Sequence, residues 1–353
     1  MGPGGLGSMD RSLAGRRADS EDFKPAQNLY RQLSQRLIGQ PEAVEAIVPY
    51  VQIYQAGLAP AGRPAGVFLL LGPTGTGKTK TVEALAEVLH GSEKAMLKID
   101  CGEFQLEHEV AKLIGAPPGY LGHRETQPML TQAKLNLASS ERCSLSLVLF
   151  DEIEKAAPSL TRLLLGVLDK AILRLGDNST VNFERSLIFL TSNLGSSAML
   201  KELKPVFGFE AAVPRNLEAV GGKLESIGVH AARRKFSPEF LNRIDRIITY
   251  RPLDEQALAE ILDHHIEEFR RHVAARLGPR SFDVDVPEET RRVILQRGAS
   301  LEYGARELKR TLHRHLVQPL AALISEGGIP PGACVRLRFD PERDCLALDA
   351  STA

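Results

Sequence analysis

The sequence has no tryptophan, few cysteines and no excess of charge of either sign. Its 353 residues include four cysteines, which are scattered and form no C-x-x-C pair. This argues against a disulfide framework or a zinc site, and we expect reduced thiols. Lysine plus arginine and aspartate plus glutamate each number 44, so the net charge is zero. Because a dedicated nucleic-acid-binding protein is usually basic overall, this balance argues against that class.

Long apolar runs are also missing. The longest cover residues 67–71 and 145–150, whereas a membrane-spanning helix needs roughly 20 apolar residues. The first residues contain no apolar stretch of the kind that a secretory signal has. We therefore expect no membrane partner and a cytoplasmic location. Residues 1–24 are rich in Gly, Ser, Arg and Asp, which predicts a disordered tail.

Residues 25–251 alternate between short apolar runs and helical patterns, which predicts a large α/β domain. The run at 67–71 is apolar throughout, as is typical of a strand buried on both faces of a parallel sheet. Further strands are predicted at 95–100, 145–150, 186–191 and 244–250. With helices between the strands, the pattern predicts a doubly wound parallel sheet that binds ligands at the carboxyl ends of its strands. Residues 204–222 contain several Pro and Gly residues and are predicted to form a loop.

The pattern changes after residue 251, and we predict a smaller second domain over 252–353. Helices are predicted at 253–275, 288–296 and 305–325, and strands at 281–286, 335–339 and 345–348. This mixture predicts a C-terminal α+β domain. At roughly 150 residues per domain, the length of the chain also suggests two domains.

One segment matches the phosphate-binding pattern G-x-x-x-x-G-K-[ST]. It directly follows the strand at 67–71, opens a helix and reads Gly72-Pro73-Thr74-Gly75-Thr76-Gly77-Lys78-Thr79. Its glycines let backbone N–H groups surround phosphate oxygens, and the helix N-terminus adds its positive dipole. Lys78 is predicted to reach the β- and γ-phosphates, and the Thr79 hydroxyl to bind Mg²⁺. The segment therefore predicts an ATP site.

Two further strands end in residues suited to phosphate chemistry. An apolar run leads into Asp151 and Glu152 and forms a Walker B pattern. Asp151 is predicted to hold the Mg²⁺ shell, and Glu152 to orient and deprotonate the attacking water. An acidic pair after a strand is often only solvated or caps a helix, but its place after a P-loop in one sheet favours the catalytic role. Asn193 follows directly after the strand at 186–191, in Thr191-Ser192-Asn193, and is predicted to orient the same water, to cap the next helix, or both.

Together these motifs resemble those of the AAA+ ATPases, in particular the second, C-terminal ATPase module of the ClpA/ClpB chaperones. The resemblance covers about residues 36–348. Further segments that carry it are Leu37-Ile38-Gly39-Gln40, residues 115–123 around Tyr120, residues 236–245 around Arg243, and Tyr303-Gly304-Ala305-Arg306. The resemblance implies a P-loop AAA+ domain followed by a smaller C-terminal lid domain.

The resemblance also implies a role for each of these segments. Ile38 and Gly39 would contribute to an adenine pocket. Arg243 would be an arginine finger that reaches the γ-phosphate of a neighbouring subunit, and Arg306 would contact the γ-phosphate of its own subunit. Tyr120 would project into a central pore and grip an extended polypeptide.

The residues themselves leave plainer interpretations open. Arg243 could instead form a structural ion pair with Asp245 or Glu239. Arg306 could serve only in packing at a helix N-terminus, and Tyr120 could lie on an exposed tight turn.

The sequence departs from the family pattern at two places. Residues 124–128 replace an acidic, Gly-Gly stretch that follows the pore tyrosine in the family. Residues 168–175 replace the family's Asp-x-Gly-Arg-Leu-Thr-Asp, which leads to a second pore loop, so processive threading stays open at this stage. Phe207-Gly208-Phe209 is similar to a tripeptide by which some relatives dock a peptidase, although local packing is the commoner role of such a segment.

The sequence thus predicts an ATP-hydrolysing, protein-remodelling module that works on protein substrates in a homo-oligomeric, hexameric ring. The alternative is a nucleotide-gated scaffold, an assembly factor that acts on one dedicated protein partner without threading it. The altered second pore loop and the lack of a recognisable substrate-recruiting domain favour this alternative. A DNA-directed loader is disfavoured because the cluster at 233–235 is the single basic candidate for DNA contact.

Overall fold

The computed structural model describes residues 25–115, 128–203, 217–298, 303–340 and 345–351. The helices are α1 Pro25–Arg36, α2 Pro41–Gln55, α3 Lys78–His90, α4 Ala111–Ile114, α5 Gln132–Leu137, α6 Pro158–Lys170, α7 Ser196–Leu203, α8 Leu217–Lys235, α9 Pro238–Leu241, α10 Glu255–Leu277, α11 Glu288–Gly298, α12 Ala305–Leu312 and α13 Gln318–Ser325. The strands are β1 Gly66–Leu71, β2 Leu97–Asp100, β3 Ser146–Asp151, β4 Ile172–Arg174, β5 Thr180–Asn182, β6 Ser186–Ser192, β7 Arg246–Thr249, β8 Asp283–Asp285, β9 Cys334–Asp340 and β10 Cys345–Ser351.

A five-stranded sheet in the order β2-β3-β6-β1-β7 forms the centre of the larger part of the molecule. Every pair of neighbouring strands in it is parallel. Val67 and Leu69 of β1 belong to one hydrophobic core and Phe68 and Leu70 to another, because successive side chains point to opposite faces. Both faces are therefore covered, which explains the fully apolar β1 and confirms the predicted α/β parallel sheet.

The C-terminal part has its own sheet and its own core. Strand β9 pairs antiparallel with β10 and parallel with β8. Helices α10, α11 and α12 pack on this sheet through buried residues such as Leu258, Ile294 and Leu308. The predicted helix at 305–325 is one helical run, in which the π-helical turn His313–Val317 joins α12 to α13. The predicted small α+β domain is confirmed.

The structure differs from the sequence-based predictions at two places. The hairpin of β4 and β5, which pair antiparallel, was not predicted from the sequence. The loop predicted through residue 222 is wrong from 217 onward, because α8 begins at Leu217. Gly221 lies in this helix beside the guanidinium of Arg251, and Gly222 has nothing within 4 Å of an added Cβ. The two glycines that suggested a loop are therefore residues of a helix.

Some predictions fall on residues that the structure does not describe. These are the disordered tail over 1–24, the loop around Tyr120 and the tripeptide at 207–209. Among the described residues, no helix has both the length and the apolar character needed to cross a bilayer.

Candidate active site

The carboxyl ends of β1, β3 and β6 lie side by side, and the candidate site is built on them. Lys78, in the first turn of α3, is buried beside this edge. Its Nζ donates to the carbonyl oxygens of Gly72 at 2.7 Å and Pro73 at 2.8 Å, and to Oδ1 of Asn193 at 2.9 Å. Burial lowers the pKa of Lys78 to about 8, despite the nearby carboxylates. The ammonium group is thus held inside the loop where phosphate oxygens would enter.

Thr79 and Asp151 place two oxygen ligands next to each other. The Thr79 hydroxyl lies 3.5 Å from Oδ1 of Asp151. Asp151 accepts a hydrogen bond from Thr191 and forms an ion pair with Lys98 at 2.9 Å. Burial opposes ionisation of Asp151, but the contacts with Thr191 and Lys98 outweigh it and keep its pKa below the usual value. A hydroxyl and an ionised carboxylate are donors that Mg²⁺ prefers, so this pair fits the predicted metal.

Glu152 follows β3 in a left-handed backbone conformation, with φ at 57°. Its N–H donates to the Thr191 hydroxyl at 3.0 Å, which fixes the turn. One carboxylate oxygen forms an ion pair with Lys155, and the other accepts from Nδ2 of Asn193 at 3.3 Å. The backbone N–H of Asn193 in turn donates to Glu154 at 2.9 Å. The structure therefore brings Asn193 between Lys78 and Glu152.

A cavity of about 660 Å³ opens beside these groups. This volume lies within the range of about 300–1,000 Å³ that is usual for small-molecule sites. Its lining combines apolar side chains, among them Ile38, Leu253 and Ile261, with the charged groups described above. The predicted site residues that line the cavity are Ile38, Thr74, Gly75, Thr76, Gly77, Lys78, Thr79, Asp151, Glu152, Asn193 and Arg306. Its volume and mixed lining suit a ligand that joins a purine to a triphosphate.

Several predicted residues lie outside this lining. Gly72 and Pro73 contact Lys78 through their carbonyl oxygens instead. Gly39 packs against the small domain, where an added Cβ would lie 2.9 Å from the side chain of Leu253. Tyr120 lies outside the described residues, so its predicted role stays a prediction.

The small domain reaches the phosphate loop through its backbone. The N–H of Ala305 donates to the carbonyl of Gly75 at 3.1 Å. Gly304 has a φ of 50°, and an added Cβ would lie 2.6 Å from that same carbonyl oxygen. Only glycine permits this approach. The contact sets the start of α12 on the loop and places Arg306 in the cavity wall.

Arg243 is separate from the cavity of its own chain. It is not among the residues that line it within the described ranges. Its Nε lies 3.0 Å from Oδ1 of Asp169, and its Nη2 lies 3.9 Å from Glu239. The alternative of an ion pair with Glu239 is thus confirmed, whereas Asp245 pairs with Arg63 at 2.6 Å. Asp169 was not considered from the sequence.

Comparison with known proteins places these motifs in a family. The model of the AAA domain (Cdc48 subfamily) matches residues 63–247, more than half of the chain. This chain belongs to the AAA family of ATPases. A second family model, the C-terminal, D2-small domain of ClpB protein, matches residues 253–337. The AAA domain and its small domain therefore follow the order of the second ATPase module of ClpB, as the motifs predicted.

Individual relatives of this AAA chain agree. The chaperone protein ClpB of Aquifex aeolicus is 39% identical over 320 residues, which cover 90% of this chain and 30% of the relative. ClpB of Rhodopseudomonas palustris is 40% identical over 301 residues, or 85% of this chain and 32% of the relative. A closed-state cryo-EM reconstruction of Hsp104 with ATPγS and FITC casein superposes with a TM-score of 0.77 at 25% identity, covering 95% of this chain and 53% of that one. The chain thus spans about a third of these ClpB relatives and about half of Hsp104.

Sequence reasoning gave no role to some residues of the AAA site. Gln40 is buried, and its Nε2 donates to the carbonyls of Thr76 at 3.1 Å and Arg251 at 2.8 Å. It therefore ties the phosphate loop to the segment before the small domain. His264 and His265 line the cavity from α10. Adjacent histidines are visible in the sequence, but only the fold shows that α10 faces the nucleotide cavity.

Proposed function

We propose that this chain is the ATP-hydrolysing module of a protein-remodelling machine of the ClpB type. The observation that carries the proposal is the line of contacts from Lys78 through Asn193 to Glu152. It joins the group suited to phosphate binding to the group suited to activating water. The cavity beside it has the volume and the polarity that a nucleotide needs.

The chain's own residues divide the work of hydrolysis. Lys78 and the backbone N–H groups of residues 74–77 bind the phosphates, and Arg306 approaches them from the small domain. Thr79 and Asp151 would hold Mg²⁺, which would neutralise phosphate charge when bound. An ammonium and a guanidinium near the γ-phosphate stabilise charge that develops on its oxygens.

Glu152 orients a water molecule and accepts its proton. Its backbone is held by Thr191, and Asn193 fixes one carboxylate oxygen through a hydrogen bond. Asn193 also accepts a hydrogen bond from Lys78. A shift of Lys78 when phosphate binds would therefore be passed to Glu152 through the side-chain amide of Asn193. This geometry supports in-line attack of water on the γ-phosphate.

Completion of the site requires a second copy of the chain. Arg243 lies outside its own cavity, which supports a role at the site of a neighbouring subunit in a hexameric ring. A planar guanidinium suits the spread charge of a transferring phosphoryl group. Arg243→Ala and Glu152→Gln proteins, each inactive alone, are then expected to recover ATPase activity when mixed. No recovery on mixing would assign hydrolysis to a single chain.

The substrates of the machine are proposed to be polypeptides. The Hsp104 reconstruction contains FITC casein, which supports this class of substrate. Tyr120 is the candidate for gripping the polypeptide. Peptidase docking through residues 207–209 is a secondary hypothesis. Both rest on the sequence resemblance alone.

Unfolding of a tagged, folded fluorescent reporter tests the proposal. Wild-type protein should unfold the reporter during ATP turnover, and Glu152→Gln should bind ATP but hydrolyse it at least ~100-fold more slowly. Tyr120→Ala should keep its ATPase activity and lose unfolding. ATP turnover without any unfolding would favour the scaffold that acts on one dedicated partner.

A further inference from the structure

We propose that Asp169 is a positioning residue for Arg243, which it holds ready for the neighbouring subunit's site. This inference rests on the proposed function, in which Arg243 acts in trans. It begins from the ion pair between Nε of Arg243 and Oδ1 of Asp169 at 3.0 Å. Nε is fully buried and has no hydrogen-bond acceptor aligned with it among the described residues. Asp169 approaches this end of the cation as an ion pair whose N–H is not aligned for a hydrogen bond.

Asp169 contacts one edge of the Arg243 guanidinium, at Nε. A guanidinium has donors on Nε and on both terminal nitrogens, arranged in a rigid plane. Contact at Nε leaves the terminal nitrogens as the edge that can face an anion. Glu239 is the other carboxylate near them, and at 3.9 Å from Nη2 it is at the limit of an ion pair. The geometry thus suits presentation of Arg243 to phosphate oxygens.

The backbone of Arg243 is already fixed, so its long side chain is what remains to be ordered. The N–H of Arg243 donates to the carbonyl of Phe240 at 3.2 Å. Asp245 exchanges hydrogen bonds with Val67 at the start of β1, through its backbone N–H at 2.9 Å and its carboxylate at 2.8 Å. Fixing a flexible side chain before the reaction removes an entropy cost from the reacting complex.

Stability accounts for only part of this pair. Although Nε itself is buried, the side chains of Arg243 and Asp169 are 29% and 46% exposed overall, and partly exposed ion pairs add little to folding stability. Asp169 is the residue before the last one of α6, directly ahead of the β4–β5 hairpin. It stands where the family's Asp-x-Gly-Arg-Leu-Thr-Asp has its first Asp, and the residues after it diverge from that pattern.

The direct test compares substitutions at Asp169 with a matched control at Glu239. Asp169→Ala should lower kcat about tenfold, within the ~10²-fold that a misplacement of about 1 Å can cost. The KM for ATP should stay unchanged, because Asp169 is not among the described residues that line the cavity. Asp169→Glu should recover part of the loss. Glu239→Ala removes a carboxylate near the same guanidinium and should stay within about twofold of wild type, since exposed pairs at this distance contribute little.

Mixed rings decide whether the defect acts through Arg243. The parent mixture pairs Glu152→Gln chains, which serve as donors of Arg243, with Arg243→Ala chains, which supply intact hydrolysis sites. Adding Asp169→Ala to the Glu152→Gln chain should reduce the recovered activity about tenfold, as in the direct test. Adding it to the Arg243→Ala chain should leave the recovery unchanged. A merely structural role for Asp169 would lower both mixtures alike.

The outcomes separate the two proposals. Equal recovery with either placement of Asp169→Ala overturns the positioning role while leaving the trans role of Arg243 intact. Failure of the parent mixture overturns the trans role and the inference with it. Thermal unfolding controls for misfolding, and Asp169→Asn, which keeps the shape and removes the charge, takes the place of alanine in both mixtures if the alanine variant does not fold.

Discussion

The side-chain oxygen of Asn193 accepts a hydrogen bond from Nζ of Lys78 at 2.9 Å. The nitrogen of the same amide donates to Glu152 at 3.3 Å, so one side chain contacts both groups. Its position is fixed by its own backbone N–H, which donates to Glu154. An amide is suited to this place, because it accepts from a cation on one side and donates to an anion on the other.

We expect Asn193→Ala to impair hydrolysis more than binding. Lys78 would keep the carbonyls of Gly72 and Pro73, so the Kd for ATP should change by no more than about threefold, less than the loss of one neutral hydrogen bond. Glu152 would lose its orienting donor, and kcat should fall roughly 10²-fold, the lower range for removal of a fixed donor. Equilibrium binding and single-turnover hydrolysis measure the two effects separately.

Asn193→Asp is the matched control, because it keeps the shape of the side chain. It would keep the acceptor for Lys78 but replace the donor to Glu152 by a carboxylate oxygen, which cannot donate. Its kcat should therefore fall at least as far as that of the alanine variant. Wild-type kcat in either variant would contradict the role of Asn193.

The elements that the sequence predicted well are those with a strong local signal. Strand β1 is apolar at every position, and the phosphate loop follows it directly, so both were predictable. The hairpin of β4 and β5 was missed because each strand has three residues and too little alternation to reveal a period. The start of α8 was missed because Gly221 and Gly222 have low helix propensity, yet both lie inside α8.

Contacts between distant segments could not be predicted from local patterns. Gly304 suits a turn in sequence terms, and only the fold shows that it meets the carbonyl of Gly75. In the same way, Arg243 has acidic neighbours in sequence, yet it pairs with Asp169 from another helix. Such pairs depend on how α6, α9 and α12 are placed on the sheets, and no residue period encodes that.

Binding of nucleotide should take up a proton at alkaline pH. The pKa of Lys78 is lowered to about 8 by burial, so in the nucleotide-free protein the amine is mostly neutral above that pH. Bound phosphates favour the charged form and raise this pKa. At pH 8.5 each binding event should therefore take up about three quarters of a proton, and at pH 7 almost none.

Isothermal titration with a non-hydrolysable ATP analogue measures this uptake. The apparent enthalpy is compared in two buffers of different ionisation enthalpy at each pH. The sign follows from the direction of the shift: affinity should fall as pH rises through 8, because the amine must then be protonated on binding. Equal enthalpies in both buffers at pH 8.5 would show that Lys78 is already charged in the free protein.

Docking of the small domain on the phosphate loop should control nucleotide affinity. In Gly304→Ala, the new Cβ would lie 2.6 Å from the carbonyl oxygen of Gly75, at a positive φ of 50°. The start of α12 would have to move away, which removes the hydrogen bond from Ala305 and withdraws Arg306 from the cavity. Loss of a charge-assisted contact to phosphate should weaken ATP binding about tenfold or more.

Gly222→Ala provides the matched control, because it is the same substitution in α8 with nothing within 4 Å of the added Cβ. It should bind ATP as wild type and unfold at a slightly higher temperature, since alanine favours a helix over glycine by roughly 1 kcal/mol. Arg306→Ala should reproduce the weaker binding of Gly304→Ala, and the double variant should be no worse than either single one. If the two losses instead add, the glycine acts on the phosphate loop independently of Arg306, and the backbone contact between Gly75 and Gly304 does not serve to place that arginine.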